Sequence, residues 1–428
     1  MAADTGRALN VAAAFAVAGM VGALGCSGRP LEAAAVMDAA AGRGLGSGLG
    51  GGSGSGPGGG AGSIGCPNGG PGDGSGDTPA VRGFTRGDGK HMAVFRPIDS
   101  SDIETATGTP LANPVLAASG ALGGSNPWAY RRHDGPDTIV YLDHNGHVHE
   151  LGTIDFDFAE VFRINAPIAA SAPPDGSEPA PDIIGYVRAD NQSSALVYRG
   201  SNDHVIEIET NFAGQPPWLA TDLTLAAGAP VTAPTGSAFP YVRSDGWNAI
   251  VYIGSDDHIH ELARLPPSPW FDTDLHVASG ETVVPSSDPW GYQRSDGANA
   301  VVFVGVDGNL REIALVAARW TTTILPASVP LGGPSRRPSG YVRADGLNAV
   351  VYVSNAASPS LRQLTLSGGA WVDEALLFGS CVTPLGQPFA HVAPGIRSSI
   401  LFQGSKAGVV NRYELSQHAG SAWTLTAF

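Results

Sequence analysis

From about residue 80 onward, short apolar runs alternate with polar, glycine-bearing turns in a fixed order. The stretch from Tyr241 is representative. Tyr241-Val242-Arg243 is followed by the turn Ser244–Trp247, and then by Asn248–Ile253, whose core Ala-Ile-Val-Tyr-Ile is apolar on both faces. Gly254–Asp257 makes a second turn, His258–Ala263 a third run and, after the loop Pro266–Pro269, Trp270–Leu275 a fourth. Short β-branched and aromatic runs bounded by Gly, Asp and Pro predict strands, and a run apolar on both faces predicts a strand covered on both sides. Four strands in about 50 residues make one antiparallel unit.

The unit recurs. Pro240–Leu262, Gly291–Ile313 and Gly340–Val353 are plainly related, and the aromatic that opens each copy gives the count: Phe84, Tyr130, Tyr186, Tyr241, Tyr292, Tyr341 and, in the weakest copy, His391. The spacings of 46, 56, 55, 51, 49 and 50 residues are those of a four-stranded propeller blade. A unit of this size cannot bury its own apolar face, so the copies must pack on one another. The prediction is an all-β propeller over 80–428. Seven blades are favoured, and the divergent first and last copies leave six open. The last copy ends in its own fourth strand, Trp423–Phe428, so no strand exchange is expected to close the ring.

Composition sharpens this picture. Gly (59) and Pro (33) are abundant and charged residues are only 15% of the 428-residue chain, which suits many strands and tight turns and leaves no helix of consequence after residue 80. A formal charge of −15 with no basic cluster opposes nucleic-acid binding, because phosphate contacts require Lys and Arg. Residues 1–26 read as a secretory signal: Arg7 precedes an Ala/Gly/Val-rich stretch that ends in Ala23-Leu24-Gly25-Cys26. That ending resembles a bacterial lipoprotein signal, which implies lipidation at Cys26 and membrane attachment; an ordinary signal peptide stays open. The expected location is secreted or anchored outside the cytoplasm. Residues 27–79 form a tether: 19 of the 37 residues of Gly42–Thr78 are glycine, too few apolar groups to fold. Cys66 and Cys381 are left as a pair or as two separate thiols.

Three motifs carry chemistry. The turn R-x-D-G recurs at Arg86/Asp88, Arg132/Asp134, Arg188/Asp190, Arg243/Asp245, Arg294/Asp296 and Arg343/Asp345. Asp bonding turn N–H groups and pairing with Arg favours a structural role, and it puts Arg86-Gly87-Asp88 in register with the rest rather than apart as an adhesion motif. The third strand carries an acid, Glu104, Glu150, Glu207, Glu261, Glu312 and Glu414, with Gln363 in the sixth copy; an aromatic follows at Phe158, Trp218, Trp270, Trp320, Trp371 and Trp423. An acid beside an aromatic face suits a sugar, whose hydroxyls bond the acid while its C–H groups stack; a core Trp with a solvated Glu is the equal alternative. The pairs His147/His149 and His258/His260 could clasp a metal, but other copies lack them, so surface histidines are favoured. No cofactor motif, metal site or catalytic constellation is read from the sequence.

The run Val251–Leu262 with Trp270, in the form V-Y-x-G-x-D-x-x-I-x-E-L followed by Trp, resembles the Aleuria-type fucose-binding lectins, six-bladed propellers with sugar pockets between adjacent blades. The resemblance implies a non-catalytic, multivalent carbohydrate-binding protein with glycans as partners. It carries ligand roles onto Glu207, Glu261, Glu312 and Glu414, and onto Trp218, Trp270, Trp320 and Trp423. The family's third group, an Arg two residues before the second-strand Tyr, is replaced here by Leu196, Ile250, Val301 and Val350. A surface interaction scaffold is the alternative function, and a propeller glycosidase or lyase a more distant one.

Overall fold

A computed structural model gives the fold; it describes residues 80–428 apart from 98–99, 121–125, 144–146, 155–156, 165–181, 190–192, 211–218, 235, 329–330, 332–336, 355–358, 378–379 and 396. The signal, the tether, Cys26, Cys66, Asp190 and Trp218 lie outside the described residues.

Seven four-stranded antiparallel sheets follow one another, each in simple up-and-down order. They span 81–118, 128–164, 184–222, 239–274, 290–324, 339–375 and 383–427, and are numbered here as blades 1 to 7. Blade 4 consists of Phe239–Val242, Asn248–Ile253, Ile259–Arg264 and Phe271–Asp274, close to the runs read from the sequence. The first strand of each blade touches the first strand of the next, and that of blade 1 touches that of blade 7, so the ring closes without strand exchange. Single helical turns, Leu223–Ala227 and Leu275–Ser279, follow blades 3 and 4; Asp222 and Asp274 cap their starts, and Gly228 and Gly280 end them in the left-handed region.

The core has two parts. Between blades, the second strands are buried along their whole length in blades 2, 3, 5 and 6, which accounts for their continuous apolar runs. Around the axis, the residue two before each opening aromatic points inward, and four of these, Trp128, Phe239, Trp290 and Phe389, pack together with ring centroids 4.0–6.4 Å apart. Arg82 occupies the same position in blade 1 and lies over Trp128 at 5.1 Å. With the axis filled at this level, grooves between blades become the obvious place for a ligand.

Close approach at the inner strands explains a recurring glycine. A Cβ on Gly185, Gly291 or Gly340 would come within 2.2, 2.3 or 2.5 Å of the ring of Tyr130, Tyr241 or Tyr292 in the preceding blade. Each tyrosine ring therefore lies against bare backbone of its neighbour. Before blade 7, Cys381 is disulfide-bonded and holds a positive φ of 54°.

Candidate functional site

The repeated acid is inside the blade. Tyr241 on the first strand pairs with Ala249, and Glu261 on the third strand pairs with Val251, so the tyrosine hydroxyl and the carboxylate meet across the second strand. The hydroxyl donates to Glu261 Oε1 at 2.5 Å, and Arg243 donates to Oε2 at 2.9 Å. Arg243 also forks onto Asp245 at 3.0 and 2.6 Å. Tyr292, Glu312, Arg294 and Asp296 repeat the arrangement at 2.7, 3.0 and 2.6 Å in blade 5, and Tyr130, Glu150, Arg132 and Asp134 repeat it in blade 2. In blade 3 Tyr186 donates to Glu207 at 2.7 Å, while Arg188 stands 3.6 Å from Glu207 and bonds Glu209. In blade 6 Gln363 accepts from Tyr341 at 2.8 Å. The R-x-D-G turn is thus tied to the third strand by the acid that follows it.

Burial pushes the Glu261 carboxyl above its ordinary range, with Arg243 and the Tyr241 hydroxyl pulling the other way. Burial also opposes the Arg243 charge, but Glu261 and Asp245 outweigh it and hold the guanidinium above its ordinary value.

These contacts fix where the expected ligand residues stand. Glu207, Glu261, Glu312 and Glu414 are at most 2% exposed and serve the blade interior. Trp270 and Trp320 are buried, and Trp423 is half-buried against the core of blades 6 and 7. Leu196, Ile250, Val301 and Val350, where the resembling family carries Arg, are fully buried between blades and leave no room for a guanidinium. Glu104 is out of register: it pairs with Phe95, and Thr105, opposite Val94, holds the place of the acid in blade 1. Blade 1 opens on Phe84, which has no hydroxyl for an acid to accept.

A second device joins neighbouring blades. The residue that begins the second strand accepts a hydrogen bond from the backbone N–H of the R-x-D-G turn one blade back: Asn248 from Ala189, Asn299 from Ser244 and Asn348 from Ser295, all at 2.7 Å. Asp137, Ser194 and Ser398 do the same for Gly87, His133 and Ala344 at 2.8, 3.0 and 3.0 Å. The sequence displays this asparagine at the head of three second strands, but its partner lies more than 50 residues away.

Between blades 4 and 5 these elements border a cleft of about 430 Å³. Arg243, Ser244 and Asp245 form one wall, Gly297 and Asn299 the floor of the turn opposite, and Leu315, Ala317, Ala318 and Trp320 the hairpin between the third and fourth strands of blade 5. Of the eight predicted ligand residues, the cleft includes Trp320 alone, and none of the acids. Arg243 uses three of its five N–H donors on Glu261 and Asp245, leaving two at the wall. Asp245 and Ser244 are exposed. Ala317 and Ala318 hold φ of 49° and 62°, the left-handed region that costs a Cβ residue about 1 kcal/mol each; blade 6 fills the same turn with Gly368 and Gly369. The alanine methyls instead give the cleft an apolar lip. Polar groups of both signs on one wall and an indole on the other can hold a neutral, hydroxyl-rich molecule with one apolar face.

No protein-family model matches the chain, and no curated protein sequence does. Among solved structures it is similar to the BP39L lectin of Burkholderia pseudomallei, at 11% identity and a TM-score of 0.63, over 82% of this chain and 99% of that one. AofleA from Arthrobotrys oligospora matches at 12% identity and a TM-score of 0.47, over 72% and 87%. The fungal Aleuria aurantia lectin, a six-bladed propeller with its own mode of fucose recognition, matches at 13% and 0.44, over 70% and 93%. At these identities the likeness is one of fold: the chain is a β-propeller of the architecture found in the Burkholderia pseudomallei lectin, built here from seven blades.

Proposed function

We propose that the chain is a non-catalytic carbohydrate-binding propeller whose ligand sits between blades 4 and 5. The observation that carries this reading is the cleft itself, where Trp320 faces the polar wall of Arg243, Ser244 and Asp245. An indole stacks on sugar C–H groups, the residual Arg243 N–H groups donate to ring hydroxyls, and Asp245 accepts from them. The Burkholderia pseudomallei protein that shares this fold is a lectin, which supports the class of ligand.

A location outside the cytoplasm accompanies this reading. It is supported by the disulfide at Cys381, a bond kept in oxidising compartments, and by the lipoprotein-like ending at Cys26. A glycan array probed with the whole chain tests the function. Binding that falls roughly tenfold in Asp245→Ala, on the order of the loss of one good polar contact, is expected. Silence across the array at high protein concentration would contradict it.

A further inference from the structure

The hairpins between second and third strands stand at the other end of the blades from the cleft, because successive antiparallel turns alternate between the two faces of the ring. In blades 4 and 5 this hairpin begins with Gly254 and Gly305, whose backbone N–H groups close the turn onto His258 and Asn309. A side chain there would displace the third-strand group and its acid: a Cβ on Gly254 would lie 2.5 Å from Asp256 and 2.8 Å from His260, and one on Gly305 would lie 2.5 Å from Arg311. The third-strand cation is instead met by an acid two residues into the turn, as Arg311 is by Asp307 at 2.7 and 2.6 Å.

Blade 2 breaks this pattern. Asp143 occupies the glycine position, closing its turn onto His147 in the same way. One carboxylate oxygen, Asp143 Oδ2, stands 3.0 Å from His147 Nδ1 and 3.0 Å from His149 Nε2. The three donor atoms lie within 4.8 Å of one another. Two ligands of a tetrahedral ion bonded at about 2.0–2.2 Å are about 3.4 Å apart, so a small opening of the group admits the ion. The ring of Tyr141 stacks on His149 at 4.8 Å and 12°, fixing the imidazole plane, while all three side chains keep some solvent access. Blade 4 also gathers Asp256, His260 and Asp274 within 4.8 Å, but that group holds one imidazole instead of two, because His258 faces Asp274 at 2.8 Å from outside it.

We propose that the blade 2 hairpin binds a divalent transition-metal ion through Asp143 Oδ2, His147 Nδ1 and His149 Nε2. Two imidazoles and one carboxylate form the donor set of zinc and of its neighbours in the first row, with water completing the coordination. The ion would take the ring-nitrogen lone pairs and the carboxylate oxygen that now face one another. It would clamp the hairpin without entering the cleft, and sugar binding is expected to be independent of it.

Calorimetric titration of the untagged, metal-stripped whole chain with Zn2+ tests this. One tight site per chain is expected, weakened more than about tenfold in His149→Ala and in His147→Ala, and unchanged in His258→Ala. His147 is the more exposed of the two blade 2 imidazoles, so its variant reports on binding even if His149→Ala folds poorly. Co2+ loading should give the absorption of nitrogen and oxygen ligation without thiolate charge transfer, which separates this site from cysteine. Absence of zinc binding approaching millimolar concentration, or a site undiminished in His147→Ala, would overturn the proposal.

Discussion

Six of the seven blade junctions share one backbone hydrogen bond, and the one that closes the ring lacks it. Between blades 4 and 5, Ser244 N–H reaches Asn299, and the opening Tyr241 lies against Gly291 while its hydroxyl bonds the buried Glu261. At the closing junction Pro394 stands where Ser244 stands, so there is no N–H to donate, and His91 stands where Asn299 stands. His391 replaces the tyrosine and lies against Gly83, whose Cβ would fall 2.2 Å from it. The turn arginine becomes Ala393, and Arg397 on the second strand supplies the guanidinium to Glu414 at 3.2 Å, with Ser399 adding a hydroxyl at 3.0 Å. His91, fully buried, meets His391 at 3.0 Å and Glu414 at 3.4 Å. A chain-terminal junction thus reaches the same packing through a separate polar cluster, and it does so with groups that titrate.

This contrast can be broken at its strongest point first. Glu261→Ala strands the buried Arg243 and Tyr241 groups and should lower stability by roughly 3–5 kcal/mol, read from the urea midpoint. A loss of sugar binding with unchanged stability would return Glu261 to the role of a ligand. Asn299→Ala leaves the Ser244 N–H without its partner and should cost about 1–3 kcal/mol. At the closing junction the matching repair needs two changes: His91→Asn alone should destabilise, and adding Pro394→Ser should recover part of the loss. If the double variant is no more stable than the single, the two junction types are not alternatives for one task.

The pH response sharpens the same comparison. Burial, then His391 and Arg397, carry His91 from its ordinary 6.5 down to about 2, and burial with Arg397 carries His391 down to about 3. A base with a lowered folded pKa is neutral when folded and takes up its proton on unfolding. Its stabilising contribution is complete above pH 6.5 and is lost progressively as pH falls toward 3. Melting temperature should therefore drop across this window, and less steeply in His91→Asn; equal slopes would contradict the assignment. The smallest effect is expected at the cleft lip, where Ala317→Gly should raise stability by about 0.5–1 kcal/mol while weakening sugar binding slightly.

The seven blades were legible because each opens with a landmark aromatic at a nearly constant spacing, and their strands because turn residues punctuate apolar runs. The direction of the third-strand acid was not. Glu261 alternates with His260 and Leu262 along its strand, and only the register that sets Tyr241 beside Ala249 and Glu261 beside Val251 reveals that the acid faces inward. A signal for it existed in the comparison of copies. Copies that open on Tyr carry Glu or Gln in register, whereas the copy that opens on Phe84 carries Thr105, as a buried hydroxyl–carboxylate pair requires. The cleft was harder to see, because its walls belong to two blades and Ser244 meets Asn299 across 55 residues.

The central claim is that the repeated acids hold the blades together and a sugar binds between blades, against Trp320. A crystal structure of the chain soaked with the glycan that binds best on the array tests it most directly. Sugar density in the cleft bounded by Arg243, Asp245 and Trp320, with Glu261 still bonded to Tyr241, is the predicted result. Density elsewhere on the ring, with that cleft empty, would contradict it.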